Sequence, residues 1–121
     1  MTISWTDIAG ASAGIASAGL RRSGKPDVVV LHAPGTAASV TTLSTAAAAS
    51  CRWTRARTPG HIKAVVINAG NANAATGEQG EAANRAMAEA TAAALGCRPD
   101  NILVCSTGVI GQQLPLDSLL P

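Results

Sequence analysis

The sequence predicts a mixed α/β domain, and two apolar runs with the segment between them carry that prediction. Lys63–Ile67 and Ile102–Cys105 are short runs rich in β-branched residues, the first entered through the turn pair Pro59-Gly60 and the second left through Ser106-Thr107-Gly108. The intervening stretch is long enough for one helix and has a start signal at Thr76 and a stop signal at Gly96. A strand, a helix and a strand in that order would be joined by a right-handed connection if the strands are parallel neighbours.

The other elements follow in chain order. Ile8–Leu20 is built from Ala, Gly, Ser and Ile without a clear period and reads as irregular to extended. Asp27–Leu31 reads as a buried strand, since Val28-Val29-Val30 follows the turn signal Gly24-Lys25-Pro26. Residues 36–50 predict a short strand near Val40 and then a helix start in Ala46–Ala49. Thr54–His61 delivers the chain into the strand at Lys63.

For the central helix, Thr76 with Gln79 fits a capping box, in which the hydroxyl accepts from first-turn amides and the Gln side chain returns a bond. Glu78 and Glu81 place negative charge at the positive end of the helix dipole. Ala82, Ala83, Ala86, Met87, Ala90, Ala93, Ala94 and Leu95 form the predicted apolar face, with Pro99 just past the Gly96 stop. Beyond Gly111, Gln112–Pro121 reads as a loop leading into a helix, as in a longer protein.

Composition narrows the function classes. The 121 residues suit one domain spanning 1–121, and 47% are hydrophobic, yet much of this is alanine and there is no Phe or Tyr. Apolar burial yields roughly 25 cal/mol per Å², so such a core is thin and predicts dependence on a partner. The net charge of +2 comes mostly from two short clusters, Arg21, Arg22 and Lys25, and Arg52, Arg55 and Arg57. These read as solvated loops rather than the broad basic face of a nucleic-acid binder, although Trp53 sits among the second set. No run approaches the length of a membrane span and Met1–Asp7 is no signal peptide, so a cytoplasmic location without membrane or nucleic-acid partners is expected. Cys51, Cys97 and Cys105 are odd in number and form no CxxC pair, which predicts neither disulfides nor zinc; Cys105 reads as a small buried hydrophobe.

Two segments carry candidate chemistry. Asn68, Asn71 and Asn73 alternate with residues too small to obstruct a close approach, and the run reads either as a turn tying off a strand end or as amides turned toward a substrate. Thr107 and Gly108 offer a hydroxyl and an unobstructed backbone N–H. Acyl transfer needs two such donors where a tetrahedral intermediate becomes negative, while the plain reading of Thr107 is a helix cap. His32 and His61 lie outside any triad pattern, and no carboxylate cluster suggests a metal. Thr2 would expose an N-terminal threonine if Met1 were removed, without an activating environment.

Asn68-Ala69-Gly70-Asn71-Ala72-Asn73-Ala74-Ala75-Thr76-Gly77, and Ser106-Thr107-Gly108-Val109-Ile110-Gly111 followed by Leu114-Pro115-Leu116-Asp117, resemble two motifs of the ornithine acetyltransferase family. Ala13-Gly14-Ile15 and Gly24-Lys25-Pro26-Asp27 are a weaker echo of that family's N-terminal region. The resemblance implies a layered sandwich with outer helices and inner sheets, incomplete without a second chain. It implies an α-chain portion of a glutamate N-acetyltransferase precursor that cuts itself, an α2β2 assembly, and a nucleophilic threonine at the start of the β chain. The acetyl group of N-acetylornithine would pass to glutamate by a ping-pong route, with Thr107 and Gly108 as the oxyanion hole. No cofactor is implied, and acetyl-CoA stays open as a second donor. Two departures are visible: Val40–Thr45 lacks the aromatic and basic residues the family places there, and neither a Lys-Gly-rich junction nor an Ala-Thr cleavage pair follows.

Two other readings compete. A short-chain dehydrogenase would share Val65-Val66-Ile67-Asn68-Ala69-Gly70, but the chain has no Tyr and no glycine-rich loop after its early strand. A truncated, non-catalytic relative serving as a binding or structural module accounts for the missing nucleophile.

Overall fold

A four-stranded sheet carries two longer helices against one face in the computed structural model, which describes residues 4–120. Its strands are β1 (Ser12–Ala16), β2 (Val28–Ala37), β3 (Gly60–Asn71) and β4 (Ile102–Val109), ordered β1-β2-β3-β4. The first two pairings are antiparallel, whereas β3 and β4 are parallel. Parallel neighbours need a crossover, and α2 (Gly77–Leu95) supplies it. The remaining helices are α1 (Ala49–Arg57) and the single turn α3 (Leu116–Leu119).

The strand period sorts β3 into two faces. Ile62, Ala64, Val66 and Asn68 are buried, and Val65 and Ile67 between them are half-buried. The buried set packs with Ile102 and Val104 of β4, Trp53 of α1, and Ala83, Met87, Ala88 and Ala92 of α2. Alanine on α2 lets the helix lie close over the sheet, so Met87 and Ile102 reach 2% and 0% exposure despite the small core. On the opposite face the register aligns Ile15, Val29 and Ile67, and beside them Leu31, Val65 and Leu103. A sheet layered with helices is the mixed α/β arrangement expected.

Several local expectations change. No strand forms at Val40, whose side chain is fully exposed; β2 ends before it at Ala37. The Arg52, Arg55 and Arg57 cluster lies on α1 rather than in a solvated loop. Trp53 anchors that helix by burying its ring and donating from Nε1 to the Ile102 carbonyl at 2.8 Å. Arg57 stacks over the ring, 3.2 Å from its centroid, and donates to Asp100 at 2.8 Å, while Arg52 pairs with Glu81. The face of α2 is rotated from the alanine count: Gly80, Ala83, Asn84, Met87, Ala88, Thr91 and Ala92 are buried, and Ala82, Ala90, Ala93 and Ala94 are exposed. Alanine marks no face by itself, and the helix turned to seat Met87.

The helix ends divide as well. Gly96 stops α2 in a left-handed conformation, its N–H reaching the Ala92 and Ala93 carbonyls, as the sequence predicts. The capping box at Thr76 does not form. Its hydroxyl donates instead to Asn73 Oδ1 at 2.8 Å. Cys105 is exposed rather than buried, because its place in β4 faces the side of the sheet away from the helices.

Candidate functional site

The parallel pair runs farther than the sequence suggests. Pairing continues from Asn68 opposite Ser106 through Gly70 opposite Gly108, so Thr107 and Gly108 sit among the last residues of β4 rather than in a loop beyond it. Glycine on both strands permits this. A Cβ at Gly108 would lie 2.5 Å from both Asn71 N and Gly70 O, and one at Gly70 would lie 2.8 Å from the Leu20 carbonyl. Both residues have positive φ, 138° and 112°, conformations that side chains disfavour. Thr107 caps no helix, since β4 continues through it and α3 begins only at Leu116. Thr107 and Gly108 are exposed, accessible from outside the fold.

Around them the asparagines form a lacing of hydrogen bonds. Asn68 Nδ2 donates to the Asn71 carbonyl at 2.8 Å. Asn71 Nδ2 donates to the carbonyls of Gln112 and Gln113, both at 3.1 Å, while its Oδ1 accepts from Asn73 N–H at 2.8 Å. Asn73 Nδ2 donates to the Gly80 carbonyl at 2.8 Å, and Gln113 Nε2 to the Thr76 carbonyl at 3.1 Å. Backbone bonds join the same segments, from Ala72 N–H to the Val109 carbonyl and from Gly111 N–H to the Ala74 carbonyl, each 2.9 Å. The three asparagines are buried and their side-chain N–H groups all donate to the protein's own backbone, as the turn-tying alternative describes, while Asn68 Oδ1 has no hydrogen-bond partner among the described residues. Such a loop can curl this tightly because Asn73 and Ala75 adopt positive φ, 45° and 57°, and because Gly80 leaves room for Asn73 Oδ1, which a Cβ there would approach to 2.7 Å.

The structure thus brings Thr107, Gly108 and the Asn68–Gly77 segment together at one end of the sheet. It leaves His32 half-buried in β2 and His61 exposed at the start of β3. Thr2 lies outside the described residues. Among the described residues no group of three His, Cys, Asp or Glu side chains could hold a metal, and no helix is long and apolar enough to cross a membrane.

Sequence reasoning missed Asp27. Buried at 3% exposure, it receives the N–H groups of Ala18 at 2.7 Å and Arg21 at 3.0 Å, while its own carbonyl accepts from Ala69 N–H. Burial pushes its carboxyl upward, but backbone N–H donors from Ala18, Arg21, Leu20 and its own residue outweigh that and hold it below the usual carboxylate value. This carboxylate fixes the 18–21 turn whose Leu20 carbonyl faces Gly70. The echo Gly24-Lys25-Pro26-Asp27 was the only signal for it.

A cavity of about 610 Å³ lies elsewhere, between β1, β2 and the C-terminal half of α2, lined by Val28, Val30, Met87, Ala94 and Leu119. It is mainly apolar and includes neither Thr107 nor Gly108. Polar groups converge instead at the ends of β3 and β4, and the candidate site is assigned there on that ground.

Fold and site define an α/β protein whose parallel strand pair carries its polar residues at the carboxyl ends, where such sheets present functional groups. The ArgJ family model matches residues 12–121, and the chain belongs to the ArgJ family. It is 48% identical over 112 residues to the arginine biosynthesis bifunctional protein ArgJ of Thermosynechococcus vestitus, covering 89% of this chain and 26% of that protein. The protein of the same name from Bifidobacterium longum is 44% identical over 93% of this chain and 29% of its own length. The chain therefore spans between a quarter and a third of these curated relatives. Ornithine acetyltransferase of Mycobacterium tuberculosis, solved in complex with ornithine, superposes with a TM-score of 0.90 at 41% identity, covering 96% of this chain and 65% of that one. ArgJ of Bacillus halodurans gives 0.88 at 32% identity, covering 97% and 63%.

Proposed function

We propose that this chain is the α-side part of an acetyltransferase of arginine biosynthesis, moving an acetyl group from N-acetylornithine to glutamate. In this reading the Thr107 hydroxyl and the Gly108 N–H receive the oxyanion, and a threonine at the N-terminus of a separate β chain is the nucleophile. That threonine's oxygen attacks the acetyl carbonyl. The amide bond then breaks, ornithine leaves with its amine protonated, and the acetyl group remains as an ester. The amine of glutamate attacks the ester, and the threonine oxygen leaves and recovers its proton. Donors aimed at the oxygen that becomes negative lower both barriers, because fixed dipoles need no rearrangement as charge develops.

The observation that carries this reading is the exposed Thr107–Gly108 pair at the end of β4, its backbone held against Gly70 and Asn71 within a chain of this family. The half-buried apolar face formed by Val29, Leu31, Val65, Ile67 and Leu103 supports a β chain packed against the sheet; an α2β2 assembly and a cytoplasmic location belong to the same proposal. The route uses no cofactor, and acetyl-CoA is a second candidate donor. In the complete precursor, Thr107→Ala is expected to lower acetyl transfer from N-acetylornithine about 100-fold, the usual loss for one oxyanion donor. Turnover equal to wild type would remove the role given to Thr107.

A further inference from the structure

We infer that Asn71 is a positioning residue that sets the direction of the Thr107–Gly108 pair, an inference that rests on the oxyanion role proposed above. Beyond its last pairing a strand is free to splay, and two donors meant to meet one oxygen must keep their mutual geometry to a fraction of an ångström.

Asn71 lies opposite this pair. It is 6% exposed and in register with both Thr107 and Val109, so its backbone brackets Gly108. Its side-chain N–H groups reach past that point to the Gln112 and Gln113 carbonyls, fastening the chain four and five residues after Gly108. Its Oδ1 is held in turn by Asn73 N–H, which fixes which end of the amide faces the Gln carbonyls. Gln113 ties the same turn to the start of α2 through the Thr76 carbonyl. Segment 107–113 is therefore held by one residue at both ends, through the Asn71 backbone at Thr107 and Val109 and through its side-chain amide at Gln112 and Gln113, and that amide is itself clamped.

Asparagine is specific here. Aspartate would keep the acceptor for Asn73 N–H but would turn an oxygen toward two carbonyls, converting two attractions into repulsions.

The test is a double-mutant cycle in the complete, assembled protein, with single-turnover acetyl transfer as the readout. Asn71→Asp is expected to lower the rate constant about 10-fold with KM within about 2-fold of wild type, since it displaces the donors without removing a substrate contact. In a Thr107→Ala background the same change should cost no more than about 3-fold, because one of the donors it misaligns is already gone. An equal loss in both backgrounds means that Asn71 acts through general stability and overturns the inference, as does an Asn71→Asp protein of wild-type rate. Gln113→Ala, an exposed position, carries the same test if Asn71→Asp fails to assemble; its expected loss is about 3-fold with the same non-additivity, and an unchanged rate overturns the clamp. Thr107→Ala alone separates the two proposals: a wild-type rate in that variant defeats the oxyanion reading, whereas a slow Thr107→Ala with a fully active Asn71→Asp defeats only the present one.

Discussion

Replacing Gly108 by alanine isolates the contact on which the strand-end geometry depends. Two costs add at that position. A side chain at φ 138° occupies backbone space that L-residues disfavour, a penalty of about 1–3 kcal/mol. The new Cβ would also stand 2.5 Å from Asn71 N and Gly70 O, both main-chain atoms that no rotamer change can move aside. Separating β3 from β4 enough to admit it is a form of overpacking, at about 1–3 kcal/mol. The sum is about 2–6 kcal/mol. Gly96 is the internal reference, because it also has positive φ, 61°, but a Cβ there would meet nothing within 4 Å. Gly96→Ala should thus cost only the backbone part, about 1–2 kcal/mol. Urea unfolding of both variants, followed by far-ultraviolet circular dichroism with a common slope, measures the difference. A Gly108→Ala protein no less stable than Gly96→Ala would refute the claim that the two glycine backbones are in obligatory contact.

Acid should act through Asp27. Its pKa is lowered by folding, so the stability it contributes is fully present above the unfolded-state value of about 3.9 and is lost as pH falls through the folded-state value. The stability gap between wild type and Asp27→Asn is expected to be constant from pH 7 to about 5 and to shrink below about 4; a gap independent of pH across that range in urea melts would count against the carboxylate's role. In α1, Trp53→Phe keeps most of the ring but strands the buried Ile102 carbonyl, at about 1–3 kcal/mol, whereas Arg52→Ala breaks a pair with side chains 43% and 44% exposed and should cost under about 1 kcal/mol. Equal losses in calorimetric melts of these two variants would mean that the indole bond contributes nothing.

The parts legible beforehand share a feature: their cause lies within a few residues. Gly96 ends α2 because a left-handed residue suits glycine, and Val65-Val66-Ile67 forms a strand because β-branched side chains suit a pleated, covered surface. Where two local motifs competed, the reading failed. Thr76 and Gln79 spell a capping box, but Asn73, three residues earlier and already fixed by the Gly80 carbonyl, takes the hydroxyl first. The arginines of α1 looked like loop because two of their partners, Glu81 and Asp100, depend on how α1 settles against its neighbours.

Sequence alone determined the strand–helix–strand unit, its punctuation by glycine and proline, and the two motifs that point to an acetyl-transferring family. Their residue types act locally or are specific enough to stand without coordinates. Only tertiary structure decided that β3 and β4 stay paired to Gly70 and Gly108, that the asparagines spend their amides on carbonyls as far as 42 residues away, and that Asp27 steadies the turn beside Gly70. A hydrogen bond is satisfied by whatever group the fold delivers within about 3 Å, and sequence spacing does not encode that group.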